Sequence, residues 1–148
     1  MNTSKISHFG ILVHDADAAT KHWTECFGLK KFDEARIEVE GIRSVFISPN
    51  GSWDDMVIEI MEPLDKENME NALSRRLAKS GEGFYHVCLV VDDVEASGKE
   101  LEARGMNVMM RAPVSEGDDG RWLVHPKQAN GVMVEAISRQ PHEKLKGA

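Results

Sequence analysis

The sequence predicts an α+β protein built from two tandem βαβββ modules, whose strands form a curved, mostly antiparallel sheet. An internal repeat is the main observation. The stretch HFGILVHDADAATKHW, from His8, aligns with HVCLVVDDVEASGKEL, from His86, at an offset of 78 residues. A second match, MVIEI over VMVEA, pairs Glu59 with Glu135 at an offset of 76 residues. Because the two offsets nearly agree, the chain contains one module twice.

The first module, residues 6–62, begins with an apolar strand that starts near His8. Asp15 is expected to cap the following helix, and Gly28 is expected to end it in the left-handed conformation. The helix has apolar residues at near-helical spacing: Ala19, Trp23, Cys26 and Phe27. The turn SPNGSWDD separates the last two of the strands that complete the module. These strands are predicted near residues 30–39, 43–48 and 56–61.

The second module, residues 84–138, repeats this order of elements. A strand begins near His86, Asp92 or Asp93 caps a helix, and Gly105 follows the end of that helix. Val94 and Leu101 are the apolar positions of the helix. The segments SEGDDG and PKQANG separate the last three strands. These strands are predicted near residues 108–111, 121–125 and 131–138.

The segment between the modules is expected to be helical. Met69, Leu73 and Leu77 recur every four residues, which predicts an amphipathic helix over residues 65–81. The tail, residues 139–148, has little apolar content and is expected to fray. A chain of 148 residues is long enough for one sizeable core and short for two ordinary domains, so residues 1–148 are predicted to form a single domain.

Composition excludes several classes of protein. Hydrophobic residues make up 41% and charged residues 29% of the chain, which is typical of a soluble globular protein. No apolar run is long enough to span a membrane, and the start, MNTSKISHFG, lacks the apolar stretch of a secretory signal. We therefore expect a cytoplasmic protein. The net charge of −7 argues against a nucleic-acid partner but not against an anionic small substrate, because a pocket can be locally basic.

Four residues stand out because the repeat places them at matched positions. Of the six histidines, only His8 and His86 are equivalent, and each opens the first strand of its module. Glu59 and Glu135 are acids within equivalent apolar strands. If the first and last strands of a module are neighbours, its histidine and glutamate can point into one concavity, and a pseudo-twofold axis brings both pairs together. Two imidazoles and two carboxylates form a site for a divalent metal in a cleft of the sheet.

The alternative is that these residues have no ligand. A histidine at a strand start is commonly capped or exposed, and a glutamate in a strand commonly faces solvent. His14 and His22 are expected to be exposed, and the two cysteines, Cys26 and Cys88, are expected to pack in the core. His142 lies in the tail.

The ordered motifs resemble the vicinal-oxygen-chelate superfamily, which includes glyoxalases and bleomycin-resistance proteins. The specific stretches are LAKSGEGFYHVCLVVDDVEA and GRWLVHPKQANGVMVEAI, supported by HFGILVHD, FGL and IEIMEPL. Within the superfamily, the sequence is most similar to methylmalonyl-CoA epimerases, over about residues 6–138. The resemblance implies that the ligands are His8, Glu59, His86 and Glu135, and that the ion is cobalt, manganese, zinc or nickel.

The resemblance also implies the chemistry: an isomerase that removes the proton α to a thioester carbonyl through a metal-stabilised enolate. Glu135 is the expected base and Glu59 the second choice. The sequence departs from the pattern at Tyr85, where the family usually has histidine. Some epimerases also have a glutamate at the position of Ser44, so the second proton transfer would need water or the other glutamate. The candidate substrate-binding residues, with solvent-exposed surface as the alternative for the last three, are Ser44, Arg121, His125 and Lys127.

Three other functions stay open. A glyoxalase-I-like lyase would use the same four ligands on a thiol adduct. An extradiol-type dioxygenase would bind ferrous iron with two histidines and one carboxylate. Glu59, as a fourth residue of ligand type, argues against this function. A metal-free binding protein of the same fold would have no need of the two histidines. The substrate is expected to be an acyl-CoA or a thiol adduct, and exposed sheet edges favour a homodimer.

Overall fold

A computed structural model of the protein describes residues 1–113 and 116–139. These residues fall into two compact units. Unit 1 comprises Met1–His8 and the chain from His86 onward, and unit 2 comprises Phe9–Tyr85. His142 and the predicted tail, apart from Arg139, lie outside the described residues.

Unit 2 contains most of the first module and the helix that follows it. The elements of this part of the chain are β1 (Thr3–Leu12), α1 (Ala16–Phe27), β2 (Lys30–Ile37), β3 (Ile42–Ser48), β4 (Val57–Pro63) and α2 (Ala72–Ser80). The strand order in unit 2 is β2-β3-β4-β1, and the β2–β3 and β3–β4 pairs are antiparallel. Strand β1 begins in unit 1 and ends in unit 2.

Unit 1 contains most of the second module. The elements are β5 (Gly83–Val91), α3 (Val94–Ala103), β6 (Met109–Arg111), β7 (Arg121–Val124) and β8 (Met133–Ile137). Strand β5 begins in unit 2 and ends in unit 1, and the strand order is β1-β5-β8-β7-β6. The β6–β7 and β7–β8 pairs are antiparallel, whereas β5 and β8, the first and last strands of the module, pair in parallel. The α+β class, the repeated βαβββ order and the mostly antiparallel pairing are therefore confirmed.

The predicted helix caps are present in both modules. The Asp15 carboxylate accepts a hydrogen bond from the Ala18 backbone N–H in α1, and Asp93 accepts one from Ala96 in α3. These bonds satisfy N–H groups that have no partner within a helix. Gly28 ends α1 with φ 74°, a left-handed conformation in which glycine has no steric penalty. The caps fix the direction in which each helix leaves its first strand.

Helices α1 and α3 each cover one face of the strands in their unit. In unit 2, α1 packs Ala19 and Trp23 against β3 and β4. In unit 1, α3 packs on β5, β7 and β8, and the buried Trp122 donates a hydrogen bond from Nε1 to Ser97 Oγ at 2.9 Å. Alternate residues of the same strands point to the opposite face. In unit 2 that face also carries core residues, because Leu77 of α2 packs there with Leu12, Ile42 and Met61.

The linker helix is shorter than the predicted span of 65–81, because α2 begins only at Ala72. Asp65 and Asn68 each accept a hydrogen bond from the backbone two residues later, which stabilises turns that compete with a helix. Asn71 then caps α2 and donates to the carbonyl oxygen of Gly41. Gly41 has φ 63°, and a Cβ at this position would lie 2.6 Å from Asn71 Nδ2, so a larger residue would be strained and would displace the Asn71 side chain.

One cysteine prediction is wrong. Cys88 is fully buried, as expected, but Cys26 is exposed, and its Sγ lies 3.5 Å from Nδ1 of the exposed His22. Positions 22 and 26 share one side of α1, and that side faces solvent. Both cysteines are free thiols. The predicted exposure of His14 and His22 is confirmed.

Candidate metal centre

The face of unit 1 opposite α3 carries a diagonal row of polar side chains. Cys88 of β5 is directly opposite Glu135 of β8, and Glu135 is directly opposite Leu123 of β7. His86 and Arg121 are each two residues from these partners, so their side chains point to the same face as Glu135. The parallel pairing of β5 with β8 thus brings the histidine and glutamate of the second module together, as the repeat predicts.

His86 and Glu135 are close enough to share an ion. Nε2 of His86 lies 3.6 Å from Oε2 of Glu135, and their side chains are 2% and 15% exposed. Two ligand atoms about 2.1 Å from a tetrahedral ion lie roughly 3.4 Å apart. The observed separation is near that value. A buried imidazole and carboxylate at this spacing fit a divalent metal, whose charge would also make the buried carboxylate less costly.

His8 adds a second imidazole to the same face of unit 1. Its ring centroid lies 5.4 Å from that of His86, with the ring planes at 89°, and its side chain is 5% exposed. Ser7 Oγ lies 2.8 Å from His8 Nδ1. Within unit 1, His86 therefore lies next to both the His8 ring and the Glu135 carboxylate. Imidazoles combined with a carboxylate are donors typical of catalytic zinc and related sites.

Arg121 stands at the edge of this cluster. Its Nη1 lies 3.9 Å from Oε1 of Glu135, and its side chain is 23% exposed. The guanidinium therefore faces one carboxylate oxygen while His86 faces the other. This geometry keeps a cation next to Glu135 on a side chain that is partly exposed. An anionic substrate group could bind to it.

Unit 2 holds two of the predicted site residues, Glu59 and Ser44. Glu59, in the middle of β4, is only 8% exposed and is directly opposite Phe46 of β3. It lies on the face away from α1, between the apolar side chains of Val57 and Met61. The fully buried Ser44 donates a hydrogen bond from Oγ to Glu59 Oε2 at 2.5 Å. The glutamate of the MVIEI strand, Glu59, therefore lies in the protein interior.

His125 and Lys127 are both exposed. His125 caps a short 3₁₀ turn, Pro126–Gln128, by accepting a hydrogen bond at Nδ1 from the Lys127 backbone N–H at 3.1 Å. This contact explains the HPK motif as local structure. A role for either side chain in substrate binding stays a prediction.

Ser7 was missed by the sequence reasoning. In the repeat its counterpart is Tyr85, so the two modules give no matched signal at this position. Only its place next to a proposed ligand could have pointed to it. Ser44 was identified as a site position, but its partner, Glu59, follows from strand register rather than from any motif.

Comparisons with known proteins fit this geometry. A family model described as Glyoxalase/Bleomycin resistance protein/Dioxygenase superfamily matches residues 7–124. The mitochondrial methylmalonyl-CoA epimerase of Dictyostelium discoideum is 30% identical over 134 residues, which are 88% of this chain and 76% of that protein. The lactoylglutathione lyase of Schizosaccharomyces pombe is 27% identical over 128 residues, 79% of this chain but only 42% of that protein.

Among solved structures, this chain is similar to Streptomyces coelicolor methylmalonyl-CoA epimerase in complex with 2-nitronate-propionyl-CoA. The TM-score is 0.79 and the sequence identity 26%, over 92% of this chain and 94% of the other. The fold predicted from the repeat is thus the fold of a known enzyme. Among the described residues, no helix is both long and apolar enough to cross a membrane.

Proposed function

This chain belongs to the Glyoxalase/Bleomycin resistance protein/Dioxygenase superfamily, and on that premise we propose that it is a divalent-metal-dependent epimerase of the methylmalonyl-CoA epimerase type. It would remove and return the proton α to a thioester carbonyl. The observation that carries the proposal is the position of the buried His86 beside both the His8 ring and the Glu135 carboxylate, in a chain aligned over 88% of its length with such an epimerase.

The proposed metal ligands are His8, His86 and Glu135, with Glu59 as the fourth. Glu59 enters through its equivalence to Glu135 in the repeat and through its burial in a matching strand. The donor set of imidazoles and carboxylates fits cobalt, manganese, zinc or nickel, and donor chemistry alone does not select among them. When bound, the ion would supply Lewis-acid stabilisation of the negative charge that develops on the thioester oxygen.

Glu135 is the proposed base. Its carboxylate is 15% exposed, so it is the less buried of the two glutamates and the more accessible to a substrate. Arg121 Nη1 lies 3.9 Å from Oε1 of this carboxylate, so a cation that could bind an anionic substrate group borders the proposed base. A general base of this kind contributes about 10²–10⁴-fold to a rate.

Return of the proton to the opposite face needs a second group. Ser44 is a poor base at neutral pH, and its hydroxyl already donates to Glu59. We therefore assign the second transfer to Glu59 or to a water molecule. If Ser44 contacts the substrate, it does so next to the Glu59 carboxylate to which it donates a hydrogen bond.

The proposed substrate is an acyl-CoA whose acyl group carries an acidic α-proton. The support is the acyl-CoA analogue bound by the similar Streptomyces coelicolor epimerase. The candidate contacts for substrate carboxylate or phosphate groups are Arg121, His125 and Lys127. Arg121 has the strongest case, because it borders the cluster and is partly exposed.

A second candidate function is a lactoylglutathione lyase, which would use the same ligands on a thiol adduct. The similarity to the Schizosaccharomyces pombe enzyme supports it. The shorter coverage of that relative favours the epimerase.

We also propose a homodimer. Large apolar side chains are exposed at Ile6, Phe84 and Met56, with 40%, 46% and 53% of their surfaces accessible. Contact between copies would bury such side chains. Sedimentation equilibrium at micromolar concentration tests this, and a monomer mass would contradict it. The cytoplasmic location and the lack of a nucleic-acid partner stay predictions.

Exchange of the α-proton tests the function. The wild-type enzyme, reconstituted with cobalt or manganese, would be incubated in D₂O with one epimer of methylmalonyl-CoA and, separately, with the glutathione hemithioacetal of methylglyoxal. The epimerase proposal expects deuterium incorporation and formation of the other epimer. Turnover of the hemithioacetal alone would favour the lyase, and no turnover of either would contradict both.

A further inference from the structure

Each of the four proposed ligands has a choice of ligand atom. A histidine can bind a metal through Nδ1 or Nε2, and a carboxylate through either oxygen. A ligand side chain that can switch atoms costs affinity, because the unused arrangements must be given up on binding. Contacts that engage one of the two atoms remove that choice.

Ser7 makes such a contact in unit 1. Its Oγ lies 2.8 Å from Nδ1 of His8, and Ser7 is fully buried. A nitrogen that takes part in a hydrogen bond has no lone pair left for a metal, so this bond directs metal binding to Nε2. In that tautomer Nδ1–H donates to the serine oxygen. The bond also fixes the rotation of the imidazole ring.

Ser44 makes the equivalent contact in unit 2. Its hydroxyl donates to Oε2 of Glu59 at 2.5 Å, and the side chain is 1% exposed. A short bond from a neutral donor to a carboxylate is charge-assisted and strong. It holds Glu59 in one rotamer and leaves metal binding to Oε1.

We propose that Ser7 and Ser44 are positioning residues, each of which selects the ligand atom of the side chain beside it. The inference rests on the proposed function, because it requires His8 and Glu59 to bind the metal. It also gives Ser44 a role in this chain that differs from that of an acid or base.

Each unit offers a matched control. Ser97 in unit 1 is 2% exposed and bonds to Trp122, and Ser48 in unit 2 is fully buried and donates to the Asp55 carboxylate at 2.8 Å. Both have the burial and the hydrogen bonding of the proposed positioning residues, but neither contacts a proposed ligand. Removal of their hydroxyls should therefore disturb packing without changing the affinity for cobalt or the spectrum of bound cobalt.

The test is cobalt affinity, measured by chelator competition, together with the visible absorption spectrum of bound cobalt. Ser7→Ala and Ser44→Ala are expected to weaken affinity about 10–100-fold and to change the spectrum. Ser97→Ala and Ser48→Ala are expected to match wild type in both. Ser7→Thr and Ser44→Thr, which keep the hydroxyl, are expected to restore the wild-type spectrum.

Three outcomes would overturn the inference. Wild-type affinity and spectrum in Ser7→Ala and Ser44→Ala would show that the hydroxyls do not orient ligands. Equal losses in the two control variants, or losses in the threonine variants as large as in the alanine variants, would show a general packing effect. Absence of cobalt binding in the wild type would contradict the proposed function itself, which separates the two failures.

Discussion

At the residue scale, the buried charge of Glu59 shows what the repeat contributes to interpretation. A single glutamate in MVIEI has several explanations, but its pairing with Glu135 indicates an interior role, and both side chains are largely buried. The same reasoning identified His8 and His86 among six histidines. It could not find Ser7 or the contact between Arg121 and Glu135, because both depend on side-chain directions and strand register rather than on a residue pattern.

Glu135 provides the residue-scale prediction. Glu135→Gln keeps the shape of the side chain but removes the charge that accepts a proton. We expect α-proton exchange with methylmalonyl-CoA to fall about 10²–10⁴-fold, measured by NMR in D₂O at saturating metal. Glu102→Gln, an exposed change on α3, is the control and should retain wild-type exchange. Retention of more than half of the activity in Glu135→Gln would remove Glu135 as the base.

At the element scale, helix capping was the most predictable feature. Asp15 and Asp93 occupy the expected cap positions because aspartate before a helix satisfies backbone donors locally. The start of α2 was less predictable. The spacing of Met69 with Leu73 and Leu77 favours a longer helix, but the turns at Asp65 and Asn68 prevail over it.

The caps give a paired prediction. Asp15→Ala and Asp93→Ala should each lower the free energy of unfolding by about 1 kcal/mol, because one N–H of the first helical turn loses its acceptor. Asparagine can accept the same hydrogen bond, so Asp15→Asn and Asp93→Asn should lower the free energy of unfolding by only a few tenths of a kcal/mol. Urea unfolding followed by circular dichroism measures these changes. Equal losses in the alanine and asparagine variants would contradict the capping role.

A cation in unit 2 links three elements. Arg43 of β3 contacts Asp17 of α1 and Glu34 of β2, at 2.8 and 2.7 Å. Its hydrogen bond lowers the pKa of the Asp17 carboxyl below the usual 3.8. Hydrogen bonds from Lys31 and then Arg43 lower the pKa of Glu34 below 4.5. Because both carboxyls hold their protons less tightly in the folded state, their contribution is present above pH 4.5 and is lost as the pH falls below 3.8 through the folded-state values.

This linkage predicts how Arg43→Gln behaves. The variant should be less stable than wild type at pH 7, and the difference should shrink as the pH falls below 3.8. Arg36→Gln is the control, because Arg36 pairs only with the exposed Glu38 in unit 2, with both side chains more than half exposed. Urea unfolding at pH 7, 4 and 3 measures the effect. A stability difference that stays constant with pH would contradict the linkage.

At the scale of the whole molecule, the duplicated sequence predicted the class of fold and the order of elements. Two copies of one pattern must form similar modules, because the same apolar periodicity buries the same faces. The adjacency of the first and last strands of a module followed only as a condition of the site. In the second module β5 and β8 are neighbours, and their parallel direction had no sequence signal. The division of the chain within β1 and β5, rather than between the modules, had no sequence signal.

The central claim is that His8, His86, Glu135 and Glu59 bind one divalent ion. The direct measurement is metal content after reconstitution with cobalt and removal of excess ion, for wild type, His86→Ala, Glu59→Ala and the control His22→Ala. We expect about one ion per chain in wild type and in the control. The affinity for cobalt should fall more than about 100-fold in His86→Ala and Glu59→Ala. Such a loss exceeds the loss expected when a residue that only orients a ligand is removed. No bound cobalt in wild type, or full affinity in both His86→Ala and Glu59→Ala, would contradict the claim.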